Sequence, residues 1–286
     1  MTPAQKLKKL LDAPGLLVMP GCYDAFSARL IERAGFKLTF MGGFAVSASR
    51  IGMPDTGLIS YAEMVDQARN ICSAVSIPVI GDGDTGYGNA LNVQRTVNGY
   101  AKAGLACVMI EDQVAPKRCG HTRGKQVVPR DEAFSRVQAA VDAKSEGADI
   151  LIMARTDANA TDGIEEAIVR AQAFNQIGAD ITFLEAPRNE EEMRAYCEQV
   201  PGPKMANLVE QGDTPLLSHA ELEAIGYKLA LYPITAILAA QRAMEQALAS
   251  LHAGKHPEAI ADFAELREVV GFPEYYEAET KYAAEG

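Results

Sequence analysis

The chain has 286 residues, with 27 Lys and Arg against 38 Asp and Glu, so its formal net charge is −11, and 48% of its residues are hydrophobic. This composition is sufficient for one large buried core, and the acidic balance argues against nucleic acid as a partner. The first ten residues are polar and basic, and no uncharged run reaches the ~20 residues that a bilayer requires, so we expect neither secretion nor membrane insertion.

Short apolar runs alternate with segments of helical spacing along the chain. We predict eight strands, at residues 15–19, 37–41, 77–81, 106–110, 149–153, 180–184, 204–207 and 229–231. Helical segments are predicted at residues 24–34, 91–103, 132–145, 163–175, 190–199, 218–225 and 233–252. Strands that are apolar almost throughout favour a parallel sheet with helices covering its faces.

Eight such units predict an α/β fold, a single (β/α)8 TIM barrel that spans residues 1–286. A doubly wound open sheet is the alternative, but Leu91 stands where the third glycine of a GxGxxG loop would be. Residues 257–286 combine aromatic residues with many acids and are predicted to form a C-terminal helical extension. Its aromatic side chains could dock on a neighbouring subunit or on the barrel of the same chain.

The five cysteines form no CxxC pair, and an odd number of widely spaced cysteines is a poor disulfide framework. We therefore predict a reducing, cytoplasmic compartment. Four of the five occur in apolar surroundings or on helical faces and are interpreted as packing residues.

Acidic residues follow two of the predicted strands at their carboxyl ends, which meet at the mouth of a parallel barrel. Asp82 and Asp84 come directly after residues 77–81 and point to the same side of an extended chain, while Glu111 follows residues 106–110. An acidic turn is the simpler interpretation of two such aspartates alone. The further acids at the same rim favour a Mg²⁺ site instead, with Mn²⁺ as the alternative ion.

The next three strands end in Arg155, Glu185 and Asn207, so five consecutive strands each supply a polar residue at one level. A guanidinium can hold a carboxylate by two parallel hydrogen bonds. An arginine beside a metal site therefore predicts a carboxylic acid as the substrate.

A polar segment from Lys117 to Lys125 contains the string Arg118, Cys119, Gly120 and His121. Cationic neighbours favour the thiolate form of a cysteine, so Cys119 is a candidate acid/base or nucleophile. An ordinary surface cysteine among basic residues is the alternative interpretation.

These residues resemble the isocitrate lyase and phosphoenolpyruvate mutase superfamily. The resemblance rests on GDGDTGYGNALNVQRTV at residues 81–97, EDQVAPKRCGHTRGK at residues 111–125, ARTDA at residues 154–158, Glu185 within LEAP, and LYP at residues 231–233. The KRCGH string is similar to the lyase branch, which includes 2,3-dimethylmalate lyase and 2-methylisocitrate lyase.

The resemblance implies a barrel whose last helix is exchanged between subunits, a homotetramer built as a dimer of dimers, and bound Mg²⁺. Asp82 and Asp84 would hold the metal, with Asp55 and Glu111 around it. Cys119 would act as the catalytic acid/base, with Tyr23 and Arg155 near the reacting groups. The substrate-binding residues implied by the resemblance are Gly42, Gly43, Arg118, Gly120, His121, Arg155, Glu185, Asn207 and Pro233.

The implied reaction is the retro-aldol cleavage of a 2-hydroxy di- or tricarboxylate, a substituted malate such as 2,3-dimethylmalate or 2-methylisocitrate, to pyruvate and a carboxylic acid. One position departs from the lyase pattern, because Gly42 stands where lyases usually carry Ser or Thr. The Gly42–Gly43 pair is similar to oxaloacetate decarboxylases of the superfamily. Oxaloacetate decarboxylation or hydrolysis therefore remains the alternative activity, and a non-catalytic carboxylate-binding barrel is the second alternative.

Overall fold

The structure is a computed structural model that describes residues 1–118 and 124–283. Eight parallel strands form a closed barrel in chain order. They are β1 (Leu17–Cys22), β2 (Thr39–Met41), β3 (Val79–Asp82), β4 (Cys107–Glu111), β5 (Leu151–Thr156), β6 (Ile181–Leu184), β7 (Lys204–Asn207) and β8 (Leu229–Tyr232). The predicted (β/α)8 fold is confirmed, and every predicted strand overlaps an observed one.

Thirteen helices are found within the described ranges. They are α1 (Pro3–Asp12), α2 (Ala25–Arg33), α3 (Gly43–Arg50), α4 (Tyr61–Ala74), α5 (Ala90–Ala103), α6 (Arg130–Ser145), α7 (Ala158–Thr161), α8 (Ile164–Ile177), α9 (Glu190–Gln199), α10 (His219–Ile225), α11 (Thr235–His252), α12 (Phe263–Val269) and α13 (Phe272–Tyr282). Four of them, α1, α3, α4 and α7, were not predicted from the sequence.

Side-chain caps explain where several of these helices begin. Ser60 and Glu63 form a reciprocal capping box at the start of α4, and Ser218 and Glu221 form the same arrangement at the start of α10. Each pair satisfies backbone N–H groups that have no partner within the first helical turn. At the other end of α5, Gly104 takes the left-handed conformation with φ of 100°, which glycine adopts without steric cost.

Alternate residues of the strands fill the inside of the barrel. In β4 and β5 these are Cys107 and Met109, and Leu151 and Met153, which share one hydrophobic cluster with apolar residues from the other strands and from α1. The next positions in the same alternation are Glu111 and Arg155, which pair directly across the two strands. Because side chains alternate between the two faces of a strand, these charged residues extend the inner layers toward the carboxyl end.

The C-terminal extension has contacts with its own barrel through α12. Arg29 on α2 donates a hydrogen bond from Nη1 to the carbonyl oxygen of Val269 at 3.1 Å, and Val269 is buried. Helix α11, in contrast, buries none of its residues. Its exposed apolar side chains are Leu238, Met244, Leu248 and Leu251.

Within the described residues, no helix has the length and apolar character of a membrane span.

Gly21 near the end of β1 provides a test of the barrel's closure. A Cβ at position 21 would lie 2.8 Å from the carbonyl carbon of Pro233, which is backbone and cannot rotate away. We expect Gly21→Ala to reduce the free energy of unfolding by about 1–3 kcal/mol, the usual cost of overpacking. The midpoint of urea unfolding measures this effect.

Gly42, just after β2, is the matched control. A Cβ there would have only the Phe40 ring within 4 Å, at 3.8 Å, and the Gly42 φ of −90° suits any residue. Gly42→Ala should unfold at nearly the same urea concentration as the unmodified protein. Equal midpoints for the two variants would contradict the proposed close contact of β1 with Pro233.

Candidate active site

The carboxyl ends of the strands surround a cavity of about 240 Å³. Polar residues from β3 to β7 form one part of its wall. The lining residues are Phe40, Gly42, Gly43, Phe44, Asp55, Asp82, Met109, Glu111, Lys117, Arg118, Arg155, Phe183, Glu185, Asn207, Val209, Leu231, Pro233 and Ile234. A concave site with apolar walls and a few converging polar groups is typical of a small-molecule site.

Three aspartates and a lysine form an acidic cluster on one side of the cavity. Lys117 Nζ lies 2.6 Å from Asp55 Oδ1 and 2.9 Å from Asp84 Oδ1, and all three side chains are buried. Asp84 has a positive φ of 48°, which is uncommon for a non-glycine residue and occurs preferentially at functional sites. The turn after β3 thus brings Asp84 to Lys117.

Backbone N–H groups fix the third member of this cluster. Gly43 donates a hydrogen bond to Asp82 Oδ2 at 2.9 Å, and Asp84 donates one to Asp82 Oδ1 at 3.0 Å. A Cβ at position 43 would lie 2.8 Å from Asp82 Oδ2, so the approach of the two chains requires glycine there. Gly43 therefore holds the orientation of the Asp82 carboxylate.

The Arg155 guanidinium forms the centre of the opposite side. Its Nη1 lies 3.0 Å from Glu185 Oε2, and its Nε lies 3.3 Å from Glu111 Oε2. Asp157 binds the guanidinium with both oxygens, at 2.7 Å from Nε and 3.0 Å from Nη2. Phe183 supports it from below, with the guanidinium carbon 5.1 Å from the ring centroid. Three acids and an aromatic ring thus fix the orientation of Arg155.

Asn207 extends this side by contact with Glu185. Its Nδ2 lies 3.3 Å from both carboxylate oxygens of Glu185, and both side chains are buried. The pair therefore continues the polar wall from β6 to β7.

A further buried network lies behind the cavity. Asp112 accepts hydrogen bonds from the Asp157 N–H at 2.9 Å, from Thr156 Oγ1 at 2.7 Å and from Arg170 Nη1 at 3.0 Å. Lys125 Nζ lies 3.1 Å from Asp157 Oδ1. Hydrogen bonds to a charged group are stronger than those between neutral groups, so this network stiffens the end of β5.

Burial has the largest effect on the acids of the site. It raises the pKa of Asp84 to about 6 and raises the pKa of Asp55 as well, with Lys117 opposing both shifts. It also raises the pKa of Glu111 well above the usual range, opposed mainly by Arg155. The neighbouring cations oppose these shifts without reversing them, so each of these pKa values stays above its ordinary value.

Most of the residues predicted from the sequence lie together at this cavity. Those that line it are Gly42, Gly43, Asp55, Asp82, Glu111, Arg118, Arg155, Glu185, Asn207 and Pro233. Asp84 reaches the same place through its ion pair with Lys117. Cys119, Gly120 and His121 lie outside the described residues, so the predictions for them rest on the sequence alone.

Tyr23 is placed differently from the rest of the predicted set. It is half-buried and packs against the hydrophobic cluster between the strands and the outer helices, and its carbonyl oxygen accepts a hydrogen bond from Gln67 Nε2 at 2.8 Å. It is not part of the cavity lining within residues 1–118 and 124–283. Its catalytic role stays a prediction.

The sequence analysis gave no role to Lys117 beyond that of a cationic neighbour, and none to Lys125 or Asp157. The ARTDA string contains Asp157 two positions after Arg155, and that spacing places both on the same side of a strand. This was the available signal for Asp157. The apolar wall formed by Phe44, Phe183, Val209 and Ile234 had no signal beyond ordinary strand and loop hydrophobicity.

The chemistry of the acidic cluster fits a hard divalent cation. Asp82 lines the cavity with an oriented carboxylate, and the buried Glu111 Oε1 accepts no hydrogen bond from the part of the chain that the structure describes. In that same part, no three His, Cys, Asp or Glu side chains are grouped closely enough to chelate a metal by themselves. Such a set fits a hard divalent cation that uses one or two carboxylates and completes its shell with water and substrate.

Comparison with known proteins agrees with this geometry. The sequence profile of the phosphoenolpyruvate phosphomutase family matches residues 7–252. The chain is 44% identical to 2,3-dimethylmalate lyase of Eubacterium barkeri over 99% of each chain. It is 37% identical to 2-methylisocitrate lyase of Bacillus subtilis (strain 168), over 96% of this chain and 91% of the relative.

Two solved structures show the same architecture. Oxaloacetate acetylhydrolase in complex with 3,3-difluorooxalacetate has a TM-score of 0.94 and 36% identity, over 98% of this chain and 97% of that chain. Phosphonopyruvate hydrolase in complex with oxalate and Mg²⁺ has a TM-score of 0.88 and 31% identity, over 99% of both chains. The chain therefore belongs to the phosphoenolpyruvate phosphomutase family of the PEP mutase/isocitrate lyase superfamily, and it is a carbon–carbon lyase.

Proposed function

We propose that the protein is a Mg²⁺-dependent lyase that cleaves a substituted malate, such as 2,3-dimethylmalate or 2-methylisocitrate, to pyruvate and a carboxylic acid. The observation that carries this proposal is the division of the cavity. An acidic cluster lies on one side and an oriented guanidinium on the opposite side, and Phe44, Val209 and Ile234 add apolar side chains to the same lining. A 2-hydroxy dicarboxylate with alkyl substituents has matching polar and apolar faces.

Arg155 has the capacity to bind a carboxylate of this substrate. Its Nε and Nη2 donate hydrogen bonds to Asp157, and its Nη1 forms an ion pair with Glu185, so among the described residues the five N–H groups of the guanidinium are not all used and some can donate to a ligand. Because the surrounding acids already fix the guanidinium plane, little conformational entropy is lost when the substrate binds.

The apolar wall favours 2,3-dimethylmalate over 2-methylisocitrate. The second compound carries a carboxymethyl group, with its third carboxylate, where the first carries the methyl group on C3. Burying a charge against Phe44, Val209 and Ile234 would be costly without a paired cation. A methyl group, in contrast, gains about 0.8 kcal/mol from leaving water.

We propose that Asp82 and Asp84 hold Mg²⁺, with Asp55 and Glu111 in the surrounding shell, and that Mn²⁺ can replace it. When bound, such an ion lowers the pKa of a coordinated hydroxyl group. The similarity to the phosphonopyruvate hydrolase that binds oxalate and Mg²⁺ supports this part of the proposal.

In the proposed retro-aldol step, the proton of the 2-hydroxyl passes to water, which later returns a proton to the Cys119 thiolate, and the bond between C2 and C3 breaks. C2 becomes the carbonyl carbon of pyruvate, and the electron pair passes to C3. The Cys119 thiol then delivers its proton to C3, which completes the second carboxylic acid and leaves a thiolate that regains a proton in the next cycle.

The chain before Cys119 is held firmly, which supports this role. The side chain of buried Gln113 accepts a hydrogen bond from the Arg118 N–H and donates one to the Arg118 carbonyl oxygen, both at 2.9 Å. Lys117 and Arg118 precede Cys119 in the sequence, and cations near a thiol favour its thiolate form.

Oxaloacetate cleavage is the second candidate, and Gly42 is the observation that favours it. Among the described residues only the Phe40 ring lies within 4 Å of a Cβ built at position 42, and glycine itself offers no hydroxyl to a bound oxo acid there. The similarity to oxaloacetate acetylhydrolase gives this alternative further support.

The decisive measurement is the identification of products by NMR after incubation with 2,3-dimethylmalate, 2-methylisocitrate or oxaloacetate, each with Mg²⁺ and with EDTA. We expect pyruvate and propionate from 2,3-dimethylmalate, formed only when the metal is present. Pyruvate with succinate would identify the methylisocitrate reaction. Oxalate with acetate, or pyruvate from oxaloacetate alone, would overturn the malate proposal in favour of the second candidate.

Replacement of the thiol tests the proposed proton donor. Cys119→Ser should reduce kcat by about 10²–10⁴-fold, the range for loss of a general acid, because a hydroxyl is a far weaker acid than a thiol. Oxalate binding, measured by calorimetry in the presence of Mg²⁺, should be preserved. Cys72→Ser is the control, since Cys72 is a half-buried thiol on α4. Turnover by Cys119→Ser at the rate of this control would refute the assignment.

We also propose that the protein is a dimer of dimers in which α11 packs on the neighbouring subunit. Helix α11 has an apolar row and buries no residue in a single chain. A cytoplasmic location is proposed as well, supported by four described cysteines that form no disulfide.

Light scattering after size-exclusion chromatography measures the assembly. We expect four times the mass of one chain, and we expect Leu248→Lys, which places a charge on the exposed row of α11, to reduce it. Leu216→Lys, at an exposed apolar position before α10, should leave the mass unchanged. A monomer for the unmodified protein would contradict the exchange of α11.

A further inference from the structure

One carboxylate behind the cavity is shared between two cations from different parts of the chain. Asp157 Oδ1 accepts a hydrogen bond from Arg155 Nη2 at 3.0 Å and lies 3.1 Å from Lys125 Nζ. Asp157 Oδ2 accepts a second bond from Arg155 Nε at 2.7 Å. The Asp157 side chain is fully buried, and the Lys125 side chain is only 6% exposed.

Asp157 is not part of the described cavity lining, although Arg155 is. It therefore acts on a ligand only through its neighbours. Its two bonds to Arg155 fix both the plane and the direction of the guanidinium, because a two-point contact allows neither rotation nor tilting. A single-point contact would not have this effect.

The network behind Asp157 is rigid enough to support this function. Asp112 holds the Asp157 N–H, and Arg170 in turn holds Asp112 and the carbonyl oxygen of Val128 at 2.9 Å. Val128 donates its own N–H to the Asp112 carbonyl oxygen at 2.9 Å. The network thus holds the Asp157 backbone, from which the carboxylate extends toward Arg155.

Lys125 belongs to the segment that begins at Lys117 and contains Cys119. The segment is already closed at its base by backbone pairing of Gln113 with Val127, and Val114 donates a hydrogen bond to the Gln126 carbonyl oxygen at 2.8 Å. The contact between Lys125 and Asp157 is therefore not needed to form the base of the segment. It joins the segment to the carboxylate that orients Arg155.

We propose that Asp157 is a positioning residue that orients the Arg155 guanidinium for the substrate carboxylate and, through Lys125, couples this orientation to the 117–125 segment. The proposal rests on the proposed function in one respect, namely that Arg155 binds a carboxylate of the substrate. It assigns Asp157 and Lys125 a role in binding and turnover that is distinct from general stability.

The test uses Lys125→Met, which keeps the aliphatic stem and removes the charge, and Asp157→Asn, which removes the charge and keeps one acceptor oxygen. Oxalate is the binding probe, and its Kd is measured by calorimetry in the presence of Mg²⁺. We expect Asp157→Asn to raise the oxalate Kd about tenfold or more, because a misplacement of about 1 Å can cost 10²-fold in a positioned site.

Lys125→Met should change the oxalate Kd less than Asp157→Asn does. Its main effect should be on the 117–125 segment. We expect kcat to fall about tenfold and the rate of alkylation of Cys119 by iodoacetamide, followed by peptide mass spectrometry, to change severalfold. Lys125→Arg, which keeps the positive charge, should restore both values. If Lys125 acts through Asp157, the double variant should show the same alkylation rate as Asp157→Asn alone.

Lys144→Met is the matched control, since it removes another lysine from a close ion pair, with Asp180 at 2.6 Å, away from the cavity. Its oxalate Kd, kcat and alkylation rate should all stay within about twofold of the unmodified protein. If Asp157→Asn fails to fold, Lys125→Met and Lys125→Arg still test whether the contact between Lys125 and Asp157 couples the 117–125 segment to the site.

Unchanged oxalate binding in Asp157→Asn, or unchanged kcat and alkylation in Lys125→Met, would overturn the corresponding part of the proposal. A lower melting temperature without these changes would assign the network a purely structural role. The oxalate and alkylation measurements need no turnover, so failure of the proposed lyase reaction would not be mistaken for failure of this inference.

Discussion

Mutual neutralisation of buried charge is the constraint on which the carboxyl end of the barrel depends. A charge taken out of water is costly unless a partner lies close and its remaining hydrogen-bonding groups are satisfied. Lys117 meets this condition for Asp55 and Asp84, and Arg155 meets it for Glu185 and its other acidic neighbours. Removal of either cation would leave several carboxylates unpaired at once. The polar groups are therefore fixed before any ligand arrives, which is the arrangement that electrostatic catalysis requires.

The barrel provides the dry environment in which these charges interact strongly. Met109, Met153 and Phe183 form an inner layer directly below the charged residues, and α1 contributes to the same cluster. A close-packed layer of this kind excludes water from below. The charged residues occupy the next inward-facing positions of the same strands, at the level where the core ends. The two-residue alternation of the strands therefore determines both the packing of the core and the position of these site residues.

That periodicity also explains which parts of the site could be predicted from the sequence. Strands β4, β5 and β7 each end in a polar residue that continues the alternation of the inward-facing positions. These residues are Glu111, Arg155 and Asn207, and the sequence pattern therefore located them. The ion pairs of Lys117 with Asp55 and of Lys125 with Asp157 join loop residues that are distant in the sequence and have no periodic pattern. Only the closed barrel brings such loops together.

Two further features could not be predicted, for different physical reasons. Helix α3 begins at Gly43, and glycine lowers helix propensity, so no helical signal was visible there. Tyr23 has the parity of the inward-facing Leu17 and Met19, yet it packs against the apolar cluster between strands and helices. It lies one residue past the end of β1, where the alternation of a strand no longer fixes the direction of a side chain, so a strand-end position alone does not bring a side chain to the cavity.

The same charge balance explains why a dianionic substrate and a divalent cation belong together in the proposed function. When Asp55, Asp82 and Asp84 are ionised, Lys117 neutralises one of three negative charges, and two remain on that side of the cavity. A dicarboxylate entering such a field would be repelled, and Arg155 is already engaged by three acids. A bound divalent cation would cancel the excess charge, and it would also lower the pKa of the buried carboxylates that burial alone raises. Asp55, Asp82 and Asp84 would hold such a cation, and the charge it supplies would allow Arg155 to bind a carboxylate beside them.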